Sequence, residues 1–117
     1  MSITLYGIPN CDTVKKARAW LAERHAEVAF HDFKKQGVPE AALDGWLTQV
    51  GWEKLVNRHG TTWRKLDAAT QAGVTDAASA RRLMLSQASV IKRPVVAWAD
   101  GQVTVGFNEA LFTQRLA

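Results

Sequence analysis

Apolar positions recur along this chain at spacings that divide it into strands and helices. Residues 2–6 are β-prone, and Gly7 and Pro9 then break the run. Beyond Cys11, Val14, Ala17 and Leu21 fall on one helical stripe, while Lys15, Lys16 and Arg18 fall elsewhere. This predicts a helix to about His25 with Asn10 as its N-cap. The stretch EVAFHDF (27–33) has strand character, and KKQG ends it. Strand, helix and strand in that order imply a right-handed parallel crossover.

From Pro39 the period becomes helical. Leu43, Trp46, Leu47 and Val50 are spaced i, i+3, i+4, i+7, with Pro39 in the first turn and Gly51 as the stop. Trp52, Leu55 and Val56 predict a further short helix. NRHGTT is a loop, with Thr62 capping a turn that holds Trp63 and Leu66. Residues 67–72 are helical up to Gly73. Thr75 caps another helix, with Asp76 in its first turn and Ala80, Leu83 and Met84 facing inward. Pro94 opens the strand PVVAW, Asp100-Gly101 is a hairpin signal, and QVTVG is the partner strand. Asn108 caps a last helix carrying Leu111, Phe112 and Leu116.

The order is therefore β-α-β, a helical block, then β-β-α. It predicts a single α/β domain over residues 1–117: a thioredoxin-like mixed β-sheet with a helical insertion, a subdomain at about 38–88.

Composition narrows the class. At 117 residues and 47 % apolar, the chain can bury a core without metal or disulfide support. No apolar run is long enough to span a membrane, and MSITLYGIPN has no secretory pattern. With a single cysteine there is no internal disulfide, so a cytoplasmic, reducing setting is expected. The net charge is +4. That suits small anions or nucleic acid, and equally suits solubility alone. Trp20, Trp46, Trp52, Trp63 and Trp98 mostly fit core positions rather than a base-stacking platform, so direct nucleic-acid binding is not expected. Three dispersed histidines and one cysteine give no zinc spacing, and phosphate-loop, nucleophile-elbow and metalloprotease motifs are absent.

The chemistry concentrates at Cys11. A cysteine where a strand turns into a helix faces unpaired amides and the positive end of the helix dipole. Such positions lower a thiol from about 8.5 into the range of roughly 3.5–7.5 and supply a usable nucleophile. In the general case a free cysteine is an inert small hydrophobe; its place after Gly-Ile-Pro-Asn is what raises a functional reading. Position 14 is valine, so Cys11 has no Cys-x-x-Cys partner. A disulfide formed by Cys11 in turnover is then with another molecule and must be resolved by a solution thiol, for which glutathione is the abundant cytosolic choice. Asn10, Asp12 and Thr13 would shape the turn, and the amides at the helix start would serve as anion donors.

Arg93, just before Pro94, is projected from the start of a strand. Arg58 and Arg64 flank the HGTT loop. An arginine fork suits carboxylate, phosphate or arsenate-like oxyanions, and would help hold a thiolate; all three arginines also read as solvated surface cations. His59 is a further candidate positive group or proton donor, and His31 reads as structural.

Three stretches, YGIPNCDTVKKA, NRHGTTWRKLD and IKRPVV…VGFNE, together resemble the arsenate reductase-like (ArsC/Spx) family, most closely its short YffB-type branch. The resemblance covers nearly the whole chain. It implies a thioredoxin-like fold with an inserted helical subdomain, Cys11 as nucleophile, Arg93 as the arginine beside it, and Pro94 as a cis proline facing the cysteine loop. It also implies a pocket arginine from the loop before GTT, for which Arg58 is the match. Two features depart from the family pattern. VTVGFNE lacks the further arginine of true arsenate reductases, and Val14 removes the Cys-x-x-Cys switch of many Spx proteins.

The leading expectation is a glutathione-dependent thiol reductase acting on a small oxidised-thiol or oxyanion substrate, with glutathione as co-substrate, no metal, and a glutaredoxin as a possible assistant. The alternative from another class is an Spx-like regulatory module that binds RNA polymerase or another protein. Arsenate reduction is a minor enzyme alternative.

Overall fold

The computed structural model describes residues 2–116. Its elements are β1 (Ile3–Gly7), α1 (Asp12–Glu23), β2 (Val28–Asp32), α2 (Phe33–Gln36), α3 (Glu40–Gln49), α4 (Trp52–Leu55), α5 (Thr61–Lys65), α6 (Ala68–Ala72) and α7 (Ala77–Ser86). A 3₁₀ turn (Ala88–Val90), β3 (Val95–Ala97), β4 (Val103–Val105) and α8 (Glu109–Leu116) complete the order. The chain divides into two compact units, one comprising residues 2–35 and 93–116 and the other residues 36–92.

The first unit is built on a four-stranded mixed sheet of order β2-β1-β3-β4. β1 and β2 run parallel, with Leu5 opposite Phe30 and Gly7 opposite Asp32. β3 is antiparallel to both β1 and β4. This is the predicted thioredoxin-like class. Ile3 and Leu5 point into a core with Val14, Ala17, Trp20 and Leu21 of α1, Val96 of β3, Trp98 and Phe112 of α8. Trp98 and Phe112 meet edge to face with centroids 4.9 Å apart, and the Trp98 indole N–H donates to the Thr104 hydroxyl at 2.9 Å. The buried indole thus keeps a partner, as a desolvated donor requires. Asn108 caps α8 as expected, accepting from the Leu111 N–H at 3.0 Å.

In the second unit Leu43, Trp46, Leu55, Val56, Ala80, Leu83, Met84, Val90 and Ile91 are buried. An isolated antiparallel bridge joins Val56 to Ile91, flanked by Asn57 N–H to Val90 O (2.8 Å) and Lys92 N–H to Leu55 O (2.7 Å). Arg81 reaches from α7 to Asp44 of α3 at 2.7 Å and to Glu40 at 3.3 Å.

Several helix starts differ from expectation. Cys11, not Asn10, is the N-cap of α1, because its extended backbone (φ −87°, ψ 125°) immediately precedes the first helical residue. Asp76, not Thr75, caps α7 through a reciprocal pair with Ser79; a carboxylate is as good a cap as a hydroxyl and sits one residue closer. Pro39 is the N-cap of α3 rather than a first-turn residue, and Gly60 rather than Thr62 caps α5. The segment after β2 is a helical turn rather than a simple stop; the Asp32 carboxylate accepts the Lys34 N–H at 2.8 Å and starts it.

Candidate active site

The loop from β1 to α1 is short and closed. Gly7 and Ile8 are buried, and the Cys11 N–H donates to the Ile8 carbonyl at 3.2 Å. The Cys11 carbonyl accepts from the Lys15 N–H at 2.9 Å, the first hydrogen bond of α1. The sulfur is half-buried and packs at the margin of the core cluster. Its side chain makes no full capping hydrogen bond, so the amides of the first turn remain available to it.

Four influences act on the thiol. Partial burial, the largest, pushes it up. The Val14 amide, the Arg93 guanidinium (by both hydrogen bonding and charge) and the Thr13 amide pull it down, and together they prevail. The Cys11 thiol therefore lies below its ordinary value, which is the condition for nucleophilicity near neutral pH. Lys15 and Lys16 are exposed on α1 and do not figure among these influences.

Arg93 owes its place to the start of β3. Pro94 and Val95 behind it are buried, Arg93 itself is half-buried, and the Arg93–Pro94 peptide is cis. The first unit thus brings Cys11, Thr13, Val14, Arg93 and Pro94 into one structure. Asn10 and Asp12 are exposed at the turn and the first helical residue.

Arg58, His59 and Arg64 belong to the second unit. Arg58 is exposed and lies 4.0 Å from Glu53 and 5.7 Å above the Trp52 ring. Arg64 donates to the His59 carbonyl at 2.9 Å and to the Gly60 carbonyl at 3.5 Å. The His59 N–H donates to the Asn57 side chain at 3.1 Å. Arg64 is therefore a strut of the Asn57–Gly60 loop, whereas the Arg58 guanidinium is directed to side chains, Glu53 and Trp52. His31 stands between aromatic neighbours, 5.1 Å from Tyr6 and 5.9 Å from Phe33. Among the described residues no group of three or more histidine, cysteine, aspartate or glutamate side chains could hold a metal ion, and no helix is long and apolar enough to cross a membrane.

A family model describing the ArsC family matches residues 6–114, a span holding Cys11, Arg93 and the Asn57–Gly60 loop. The chain belongs to the ArsC family. Its likeness to a solved YFFB protein extends over 99 % of this chain and 100 % of that one, at 46 % identity and a TM-score of 0.93. An arsenate reductase (ArsC) related protein from Brucella melitensis is 50 % identical, with a TM-score of 0.75 over 99 % of this chain and 95 % of that one. The global transcriptional regulator Spx of Streptococcus pyogenes is 26 % identical over 110 residues, 92 % of this chain and 79 % of the regulator. The ArsC family assignment and the thioredoxin-like sheet agree, and the proteins this chain resembles include both an arsenate reductase related protein and a transcriptional regulator.

Sequence reasoning missed the part played by Val14. It was legible as a core position and as the place of an absent cysteine, but the hydrogen bond from its amide is the largest single contribution that lowers the thiol, ahead of either the hydrogen bond or the charge of Arg93 taken alone. Cysteine at the N-cap gives the signal, since the residue three positions on must then aim its N–H back at the cap.

Proposed function

We propose that this ArsC-family protein is a glutathione-dependent thiol reductase that works with one nucleophilic cysteine, Cys11. The observation that carries the reading is the half-buried Cys11 at the N-cap of α1, held below its ordinary thiol value by the Val14 and Thr13 amides and by Arg93 despite the opposing effect of burial. In the first step the Cys11 thiolate attacks the glutathione-side sulfur of a mixed disulfide. That S–S bond breaks, the other sulfur leaves as a thiolate with the bonding pair, and Cys11 is left disulfide-bonded to glutathione. A second glutathione, as thiolate, attacks the glutathione sulfur of this adduct, giving oxidised glutathione and returning the Cys11 thiolate. The substrate gains two electrons and two glutathione sulfurs become one disulfide.

Val14 provides no thiol for internal resolution, so the resolving sulfur comes from solution. Arg93 stabilises the anionic sulfur at the start and at the end of the cycle. Thr13, Asp12 and Asn10 hold the turn, and Pro94 holds the start of β3. Oxidised glutathione should give a single adduct, on Cys11, by intact-mass and peptide mass spectrometry. A folded protein that gives none would overturn the reading.

The likeness to Spx favours one other reading, a regulatory module that binds RNA polymerase or another protein without turnover. A stoichiometric partner retained by C11S, combined with no glutathione turnover by the wild type, would favour it. Arsenate-dependent consumption of glutathione tests the oxyanion variant of the enzyme reading.

A further inference from the structure

Gly7 ends β1 four residues before Cys11 and is buried. A Cβ placed on Gly7 would lie 2.8 Å from Val14 Cγ2 and 3.4 Å from Val14 Cγ1, yet 3.7 Å from Val14 Cβ. The first distance is closer than a methyl–methyl contact allows, while the last is ordinary van der Waals contact. Gly7 is therefore required here for space; its backbone conformation is not among the positive-φ glycines. Val14 is fully buried and sits in the first turn of α1, where a β-branched side chain has essentially one rotamer. It cannot swing its methyls aside without moving the helix.

We propose that the Gly7–Val14 contact is a packing lock that fixes the first turn of α1 against the end of β1, and that these two residues act as the positioning pair for the Cys11 sulfur. The lock holds the backbone of Val14, and so its N–H, at the position from which it serves the cap residue. Gly7 and Val14 touch no substrate; they act through the turn between them. In this chain valine at position 14 has a positive role besides leaving Cys11 without a second thiol. The inference rests on the reading of Cys11 as nucleophile.

The test is the pH dependence of Cys11 alkylation by iodoacetamide in wild type, G7A, V14A and the double variant G7A/V14A, with folding checked by circular dichroism. G7A forces the methyls apart and displaces the first turn. Its titration midpoint should rise by about half a unit or more, roughly a threefold loss of thiolate at acidic pH. V14A removes both crowding methyls and releases the turn, and should shift the midpoint in the same direction. In G7A/V14A the two closest contacts of the new methyl are gone, the residue 14 Cβ remains at an ordinary 3.7 Å, and the midpoint should return toward wild type. Recovery in the double variant is something a general loss of stability would not produce. If G7A does not fold, V14A against G7A/V14A decides alone. Midpoints equal to wild type in the folded single variants, or a double variant no closer to wild type than the singles, would overturn the lock. A wild-type midpoint near that of an ordinary thiol would instead overturn the functional reading, so the two failures are distinguishable.

Discussion

Replacing Arg93 by methionine keeps most of the aliphatic bulk and removes the guanidinium. Two unit charges about 4 Å apart attract by about 1 kcal/mol in bulk water and about 4 kcal/mol at an effective dielectric near 20. Cys11 and Arg93 are both half-buried, so solvent screening places this pair toward the lower end, at about 1–2 kcal/mol. At about 1.4 kcal/mol per unit, the Cys11 titration should rise by roughly one unit in R93M. The thiolate fraction at acidic pH then falls about tenfold. A thiolate one unit more basic is also intrinsically faster, by about threefold for a Brønsted slope near 0.4–0.5. The net expectation for reaction with a neutral disulfide probe is a rate about three- to fourfold below wild type at acidic pH and about threefold above it once both thiols are ionised. The two pH–rate curves must therefore cross. Stopped-flow reaction with the probe, run alongside C11S as a blank, measures this. Superimposable curves, or an R93M curve displaced downward at every pH without a crossing, would refute the electrostatic role assigned to Arg93.

Other expectations concern stability and the cap. Cys11 occupies an N-cap without a side-chain capping bond, so C11S should abolish glutathione adduct formation yet unfold in urea with a stability up to about 1 kcal/mol higher at acidic pH; a clear destabilisation would contradict this. Folding lowers the Cys11 titration, so the folded state binds fewer protons than the unfolded state between the folded value and about 8.5. The resulting stabilisation is complete above about 8.5 and is lost as pH falls through the folded value. Wild-type stability minus that of C11S should accordingly rise with pH across that window, and a flat difference would count against it. T104V strands the buried Trp98 indole N–H and should cost about 1–3 kcal/mol by urea unfolding, whereas a neutral effect would mean that the indole finds another acceptor.

Much of the fold was legible because the periods were clear. Val14, Ala17 and Leu21 on α1 are all buried, and so are Leu43 and Trp46 on α3 and Ala80, Leu83 and Met84 on α7. The Asp100-Gly101 hairpin and the Asn108 cap also stand where turn and cap chemistry put them. Cap identity was less legible at α1 and α7, where two polar or small residues adjoin the start and only the backbone angles choose between them. Cys11 and Arg93 could be singled out, since a strand-to-helix junction and an arginine before proline are both local signals. The part of the site made by packing could not. Gly7 looks like a chain breaker in the sequence, and its close approach to Val14 exists only once β1 and α1 are folded together. Arg64 looked interchangeable with Arg58 until its guanidinium was seen to strap the His59 and Gly60 carbonyls.

Ultraviolet thiolate absorbance of the wild-type protein, corrected with C11S and followed across pH, bears most directly on whether Cys11 is a nucleophile poised near neutrality. A single titration well below about 8.5 that disappears in C11S is the predicted result. A midpoint at or above that of a free cysteine, in the folded protein, would contradict it.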